Sequence, residues 1–206
     1  MDYYVFMREA IKEAEKAAGL GDVPVGAVAV YEGRIIGRGH NGKERKNDPI
    51  SHAETEALRE AAQYLKTWRL NGVTLFVTME PCPMCAGAIL QGRVDTLIFG
   101  AWDSRWGACG STVNLLTPGL YNHTTKVIGG IMEKECAALT ENFFRTRRQE
   151  PTFYDKIFAL TNTERYRSGH NENDSKSFGG LSRPWVRIPP APPKRIPAFQ
   201  GGFSFW

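Results

Sequence analysis

Two short stretches of this 206-residue chain carry side chains whose types and spacing suit metal-assisted hydrolysis. They are Ser51-His52-Ala53-Glu54 and, about thirty residues on, Pro81-Cys82-Pro83-Met84-Cys85. Together they supply one imidazole, two thiolates and a carboxylate. Three protein ligands leave the fourth tetrahedral position of a zinc ion open, and an open position separates a catalytic site from a structural one. Zinc there can lower the pKa of its water to roughly 7 and so supply hydroxide at neutral pH. His52, Cys82 and Cys85 are the candidate ligands. Glu54 stands two positions past His52, so on a helix it lies beside the metal without being aligned to ligate it. That placement suits a proton shuttle, a role that typically contributes about 100-fold to 10,000-fold in rate.

Simpler explanations exist for each half. Ser51-His52-Ala53-Glu54 fits a capping box in which Ser51 caps a helix and Glu54 reaches back, but capping explains neither His52 nor the cysteines downstream. Cys82 and Cys85 alone resemble half of a structural zinc ribbon, which needs a fourth ligand. The remaining cysteines, Cys109 and Cys136, are singletons, and the other histidines are His40, His123 and His170. The ordered pair, H-x-E and then P-C-x-x-C, is the signature of zinc-dependent nucleobase deaminases. In that chemistry the carboxylate passes a proton to the ring nitrogen beside the attacked carbon and then to the departing amine.

These residues need elements to hold them. Apolar positions at helical spacing (Val5, Phe6, Ile11, Ala14, Ala18) predict a helix over residues 2–18, ended by Gly19. Residues 25–31 and 34–39, broken by Glu32-Gly33, predict a hairpin. A helix over 52–65 carries the first ligand. A buried strand over 73–78 runs into the Pro81–Cys85 turn, a helix follows over 84–91, and a strand over 94–99. Residues 100–110, with Trp102, Asp103 and Trp106, read as a looser segment, followed by a strand over 126–131 and a helix from 133 to about 150. Strands alternating with helices imply a sheet covered on both faces. Two helices that each begin with metal ligands would lie side by side, and their positive N-terminal ends help keep thiolates ionised.

Composition bounds the rest. Two cysteines outside the metal motif make no disulfide framework, which points to a reducing compartment. The N-terminus has no basic region followed by an apolar run, and no stretch approaches the length of a membrane span, so a soluble, cytoplasmic protein with no membrane partner is expected. The net charge of +4 is unevenly spread: residues 1–150 hold 18 Lys+Arg against 18 Asp+Glu, and residues 151–206 hold 8 against 4. The globular part is therefore not a generically basic nucleic-acid binder. Local clusters remain at Lys43-Glu44-Arg45-Lys46, which reads as a solvated loop, and at Arg145-Thr146-Arg147-Arg148, which reads as a cationic helix end.

Residues 1–150 are expected to form one domain and 151–206 an extension, disordered from about 158, because that stretch is polar and glycine-rich and then proline-rich. Six of the twelve prolines lie between Pro184 and Pro197. A non-functional extension is preferred over a basic arm. The run Trp185-Val186-Arg187-Ile188-Pro189 can be encoded by TGG GTT CGA ATC CC, which contains GTTCGAATC, typical of a tRNA T-arm. The reading frame is therefore expected to run into a neighbouring tRNA gene. A different codon set in the DNA sinks that idea.

Across residues 1–150 the chain resembles the bacterial tRNA-specific adenosine deaminases. The resemblance is carried by Val23-Pro24-Val25-Gly26-Ala27, Gly39-His40-Asn41, Asp48-Pro49, His52-Ala53-Glu54 and Glu80-Pro81-Cys82-Pro83-Met84-Cys85-Ala86-Gly87-Ala88. It continues through Phe99-Gly100-Ala101 with Asp103, Asn122-His123, and Phe143-Phe144-Arg145-Thr146-Arg147-Arg148. It implies a three-layer α/β/α cytidine-deaminase-like fold, with a mixed five-stranded sheet and helices on both faces. It also implies a homodimer, one zinc ion per subunit, and conversion of adenosine to inosine at the wobble position of an arginine tRNA. Under it His52, Cys82 and Cys85 bind zinc and Glu54 shuttles protons. Asn41 hydrogen-bonds the extruded adenosine, between Val23 and Met79 as apolar walls. Asp103, Asn122 and His123 touch neighbouring anticodon-loop nucleotides, and Phe143, Phe144 and Arg147 belong to a helix that grips the loop. Trp102, Trp106 and Cys109 depart from the family pattern. A deaminase of free guanine or another nucleobase shares the metal motifs, but would have no use for the Asp103 loop or the terminal aromatic-basic run. A zinc-stabilised RNA-binding module without catalysis would have no use for Glu54.

Overall fold

The computed structural model describes residues 2–149. The extension beyond them, with the run at Trp185–Pro189, lies outside the described residues. Five strands form one mixed sheet: β1 (Gly26–Tyr31), β2 (Arg34–His40), β3 (Thr74–Met79), β4 (Thr96–Ala101) and β5 (Lys126–Ile128). Their order is β2-β1-β3-β4-β5. β1 pairs antiparallel with β2 and β3, while β3, β4 and β5 run parallel. The helices are α1 (Tyr3–Gly19), the single turn α2 (Lys43–Lys46), α3 (Ala53–Leu65), α4 (Pro83–Gln91) and α5 (Glu133–Gln149).

Alternation along the strands sorts the core into two layers, because successive side chains point to opposite faces. Ala27, Ala29, Leu75, Val77, Leu97 and Phe99 pack on α3 and α4 through Ala53, Ala57, Ala61, Ala86 and Ile89. The intervening Val28, Val30, Phe76 and Ile98 pack on α1 and α5 through Met7, Ala10 and Cys136. The three-layer arrangement expected from the sequence is thus the observed one.

The hairpin closes through Glu32 (φ 49°) and Gly33 (φ 76°), two successive left-handed residues that match the twist of a tight hairpin turn. The last strand is shorter than its apolar run suggests. It ends at Ile128, because Gly130 takes φ 86° and Met132 φ 56° and the chain turns into α5. The Lys43–Lys46 cluster, expected as a loop, is instead one helical turn. The buried Asp22 carboxylate accepts from Glu44 N at 2.8 Å and Arg45 N at 3.3 Å, satisfying donors that a short helix leaves free.

One close approach fixes the height of α3 over the sheet, and with it the first ligand. A Cβ on Gly39 would lie 2.0 Å from Ala53 O and 2.6 Å from Ala57 N. Gly39→Ala must therefore push the first turn of α3 away. We expect it to lower metal content and activity together, and to cost about 1–3 kcal/mol as an overpacking change, read by metal analysis and thermal melting. Native-like metal content in that variant would count against the contact.

Candidate active site

Parallel strands β3 and β4 end side by side, and their C-terminal ends feed the site, as is general for ligand sites on open α/β sheets. β3 leads through Met79 and Glu80 into the Pro81-Cys82 turn. Pro83 occupies the first turn of α4, where its missing N–H leaves nothing unsatisfied. Cys82 is the N-cap of α4 and Cys85 lies in its first turn. His52 is the N-cap of α3 (φ −96°, ψ 155°). The capping box expected from Ser51 and Glu54 is therefore displaced by one residue. Thr55 Oγ1 accepts from His52 N at 3.2 Å, and Ser51 Oγ donates to Glu56 at 3.0 Å. This frees Glu54 to turn inward, where it is buried.

His52 Nδ1 lies 3.8 Å from Cys82 Sγ and 3.5 Å from Cys85 Sγ. Ligands at ordinary tetrahedral zinc distances stand about 3.6 Å apart, sulfur to nitrogen, so the three side chains fit one such ion without rearrangement. Among the described residues this is the one His/Cys/Asp/Glu group of that kind. The two sulfurs lie within 4.8 Å of each other. The hydrogen bond from Cys85, reinforced by His52, holds the Cys82 thiol down at about 4. The same bond, followed by burial, pushes the Cys85 thiol up. The bond to Cys82 raises His52 above the usual imidazole value. Burial raises the Glu54 carboxyl, with the Cys82 sulfur adding to the effect. A cation among these groups would favour ionisation of both sulfurs.

The sequence-predicted binding residues divide into groups. Val23, Met79, Asp103 and Phe144 line one cavity of about 390 Å³. Asn41 lies apart from it, at the start of α3, where its Oδ1 accepts from Ala53 N at 3.0 Å. Among the described residues its amide nitrogen has no partner and remains to donate. Asn122 and His123 line a separate hollow beside Gly87 and Leu90. Both are engaged: Arg93 Nη1 donates to the exposed Asn122 Oδ1 at 2.8 Å, and the partly buried His123 Nε2 lies 2.9 Å from Val94 O. Phe143 and Arg147 brace α5, since the Arg147 guanidinium stacks 4.9 Å over the Phe143 ring and donates to Gly21 O. Arg148, which the sequence analysis left in a generic cluster, lines the cavity with Phe144.

Glu80 was quoted in a motif but assigned no role. Its buried carboxylate accepts from Asp103 N at 3.1 Å, Cys109 N at 2.9 Å and Ser111 N at 3.0 Å, and from the Ser111 hydroxyl. It therefore ties residues 103–111 to the metal turn. Asp103 shapes the same loop, since its Oδ1 accepts from Arg105 N at 2.9 Å. The available signal was an acid lodged between an apolar strand and the metal-binding turn. We expect Glu80→Ala to leave the buried Cys109 N–H and the less buried N–H groups of Asp103 and Ser111 without their partner, at about 1–3 kcal/mol for the buried one before relaxation, and to speed amide hydrogen exchange selectively over 103–111. Unchanged exchange there would contradict the clamp.

A carboxylate buried beside a His/Cys/Cys cluster at the ends of a mixed α/β sheet defines a metal-dependent deaminase, and the MafB19-like deaminase family matches residues 1–148. The chain belongs to the family of tRNA-specific adenosine deaminases. It is 48% identical over 146 residues to the tRNA-specific adenosine deaminase of Bacillus subtilis, covering 71% of this chain and 91% of that one. It is 44% identical over 144 residues to that of Streptococcus pyogenes, covering 70% and 91%. A solved structure from a study of A-to-I editing by tRNA A34 deaminases superposes with a TM-score of 0.63 at 40% identity, over 65% of this chain and 97% of that one. Guanine deaminase from Nitrosomonas europaea shares the fold, with a TM-score of 0.60 at 22% identity over 68% and 83%.

Proposed function

We propose that this protein deaminates adenosine to inosine at the wobble position of a tRNA anticodon loop, as a zinc-dependent hydrolase. The observation that carries this reading is the buried Glu54 beside the His52, Cys82 and Cys85 cluster, in a chain so close to tRNA-specific adenosine deaminases. His52, Cys82 and Cys85 hold the zinc. When bound, zinc lowers the pKa of a water molecule to about 7 and so provides the nucleophile.

The remaining work belongs to the chain. Glu54, kept from solvent, would accept the proton lost by the attacking water and deliver it to the purine ring nitrogen beside the attacked carbon, then take the remaining proton from the new hydroxyl and pass it to the amino group, which leaves as ammonia. Val23 and Met79 flank the adenine, and the free amide of Asn41 donates to the extruded nucleoside. Asp103, Asn122, His123, Phe143, Phe144 and Arg147 serve the surrounding loop. The division seen in the structure supports a direct part for Asp103 and Phe144 and a bracing part for Phe143 and Arg147. A loop nucleotide is already partly unstacked, so withdrawing it costs less than opening a duplex.

An arginine tRNA as substrate, a homodimeric assembly with one zinc ion per subunit, and a cytoplasmic setting complete the reading. Among the described residues no helix is long and apolar enough to cross a membrane. Residues 1–150 constitute the deaminase domain on this reading, and 151–206 an extension outside the chemistry. The test is to incubate zinc-loaded protein with an arginine-tRNA anticodon stem-loop carrying wobble adenosine, beside free guanine, adenosine and cytidine, and to read inosine by mass spectrometry. Conversion of the stem-loop alone supports the proposal. Conversion of a free base with the stem-loop untouched overturns the substrate while keeping the site chemistry.

A further inference from the structure

Trp102 leaves the end of β4 immediately before Asp103. Its indole is 48% exposed, yet it is held on several sides. It meets Phe99 edge to face, with ring centroids 4.7 Å apart and planes at 89°. Two glycines leave room for it: a Cβ on Gly129 would lie 2.7 Å from Trp102 Cζ2, and one on Gly110 would lie 3.3 Å from Cζ3. An incidental surface tryptophan requires no such slot. Here the slot fixes one ring orientation, and the remaining surface borders the cavity formed with Val23, Met79, Asp103, Phe144 and Arg148. Trp106, four residues on and 68% exposed, has no aromatic ring packed against it among the described residues.

The geometry points to Trp102 as a stacking platform for a nucleobase adjacent to the deaminated adenosine, and so as a specificity-determining residue of the site. The inference rests on the reading of the substrate as an unpaired RNA loop. Splayed loop bases are recognised by stacking on aromatic faces, and a ring already fixed by Phe99 and the two glycines loses little freedom when a base lands on it. Arg105 and Arg148 line the same cavity and offer cations to the phosphates on either side of a stacked base. Aspartate and a tryptophan face side by side would read the flanking nucleotide by its edge and by its plane.

The test uses zinc-loaded full-length protein and stem-loops in which the nucleotide before or after the target is replaced by 2-aminopurine, whose emission is quenched on an indole. Trp102→Leu keeps apolar contact with Phe99 but removes the ring face, and Trp102→Phe retains a smaller one. We expect Trp102→Leu to brighten one of the two probes in the saturated complex and to raise KM about 10-fold, the size of one base–aromatic stack. The kcat should stay within about twofold, as for lost uniform binding. Trp102→Phe should recover most of both effects. If neither probe nor KM changes in Trp102→Leu while wild type deaminates the unlabelled stem-loop, the platform is wrong and the substrate reading stands. If wild type leaves that stem-loop unconverted, the substrate reading fails and the platform with it.

Discussion

Glu54→Gln is expected to reduce conversion of the stem-loop by about 100-fold to 10,000-fold, the contribution of a positioned acid–base group, while metal content stays at the wild-type level. The reasoning is local. Glutamine has the shape of glutamate, and His52, Cys82 and Cys85 are untouched, so the cluster that fits an ion persists. What disappears is a group able to accept and return a proton. Glu54 is only 4% exposed, which leaves bulk water poorly placed to substitute for it. Stability should not fall, because the amide carries no charge to be penalised by the burial that raises the carboxyl pKa. Activity, zinc content and melting temperature measured on one preparation check all three statements. Unchanged turnover would remove Glu54 from the mechanism and leave a metal-stabilised RNA-binding module as the better account.

The second large effect concerns the metal itself. Cys85 is fully buried in the first turn of α4, and Cys85→Ser exchanges a thiolate ligand for a hydroxyl that remains protonated at neutral pH. Loss of bound metal and of detectable turnover is expected, with no recovery on adding zinc. Wild-type protein stripped by a chelator should lose turnover in the same way and regain it when zinc is restored. A ligand present at 100 times its Kd stabilises the fold by about 2.7 kcal/mol. Stripping should therefore lower the melting temperature by roughly 5–10 °C for a domain of this size. Full activity of the stripped protein would rule out the metal as the source of the nucleophile.

These two predictions draw on features that were legible early, for a physical reason. A tetrahedral ion accepts few ligand types at few spacings, so His52, Glu54, Cys82 and Cys85 announce themselves as a pattern. The layers were not legible: Val28 and Val30 leave the sheet opposite to Ala27 and Ala29, but residues 25–31 are a continuous apolar run in which alternation leaves no mark. The helical turn at Lys43–Lys46 was not legible either, because the Asp22 carboxylate that organises it comes from another part of the chain. That His52 rather than Ser51 caps α3 was not legible for a related reason: several hydroxyls and carboxylates near Ser51 compete for the same backbone donors, and local sequence does not rank them.

The binding residues show the boundary most clearly. Sequence placed Val23, Asn41, Met79, Asp103, Asn122, His123, Phe143, Phe144 and Arg147 in one group through resemblance alone. The tertiary structure separates Asn122 and His123 from the cavity of Asp103 and Phe144, and ties the exposed Arg147 to Gly21 O while Arg148 lines that cavity. By itself the sequence determined the alternation of strands with helices that implies a sheet covered on both faces, and the side chains of the metal cluster, because these follow from periodicity and from coordination chemistry. Only the tertiary structure decided which of two adjacent arginines faces the site, that Glu80 ties the Asp103 loop to the metal turn, and that Trp102 sits in a slot between two glycines. Those outcomes depend on contacts between segments tens of residues apart, whose directions no local pattern encodes.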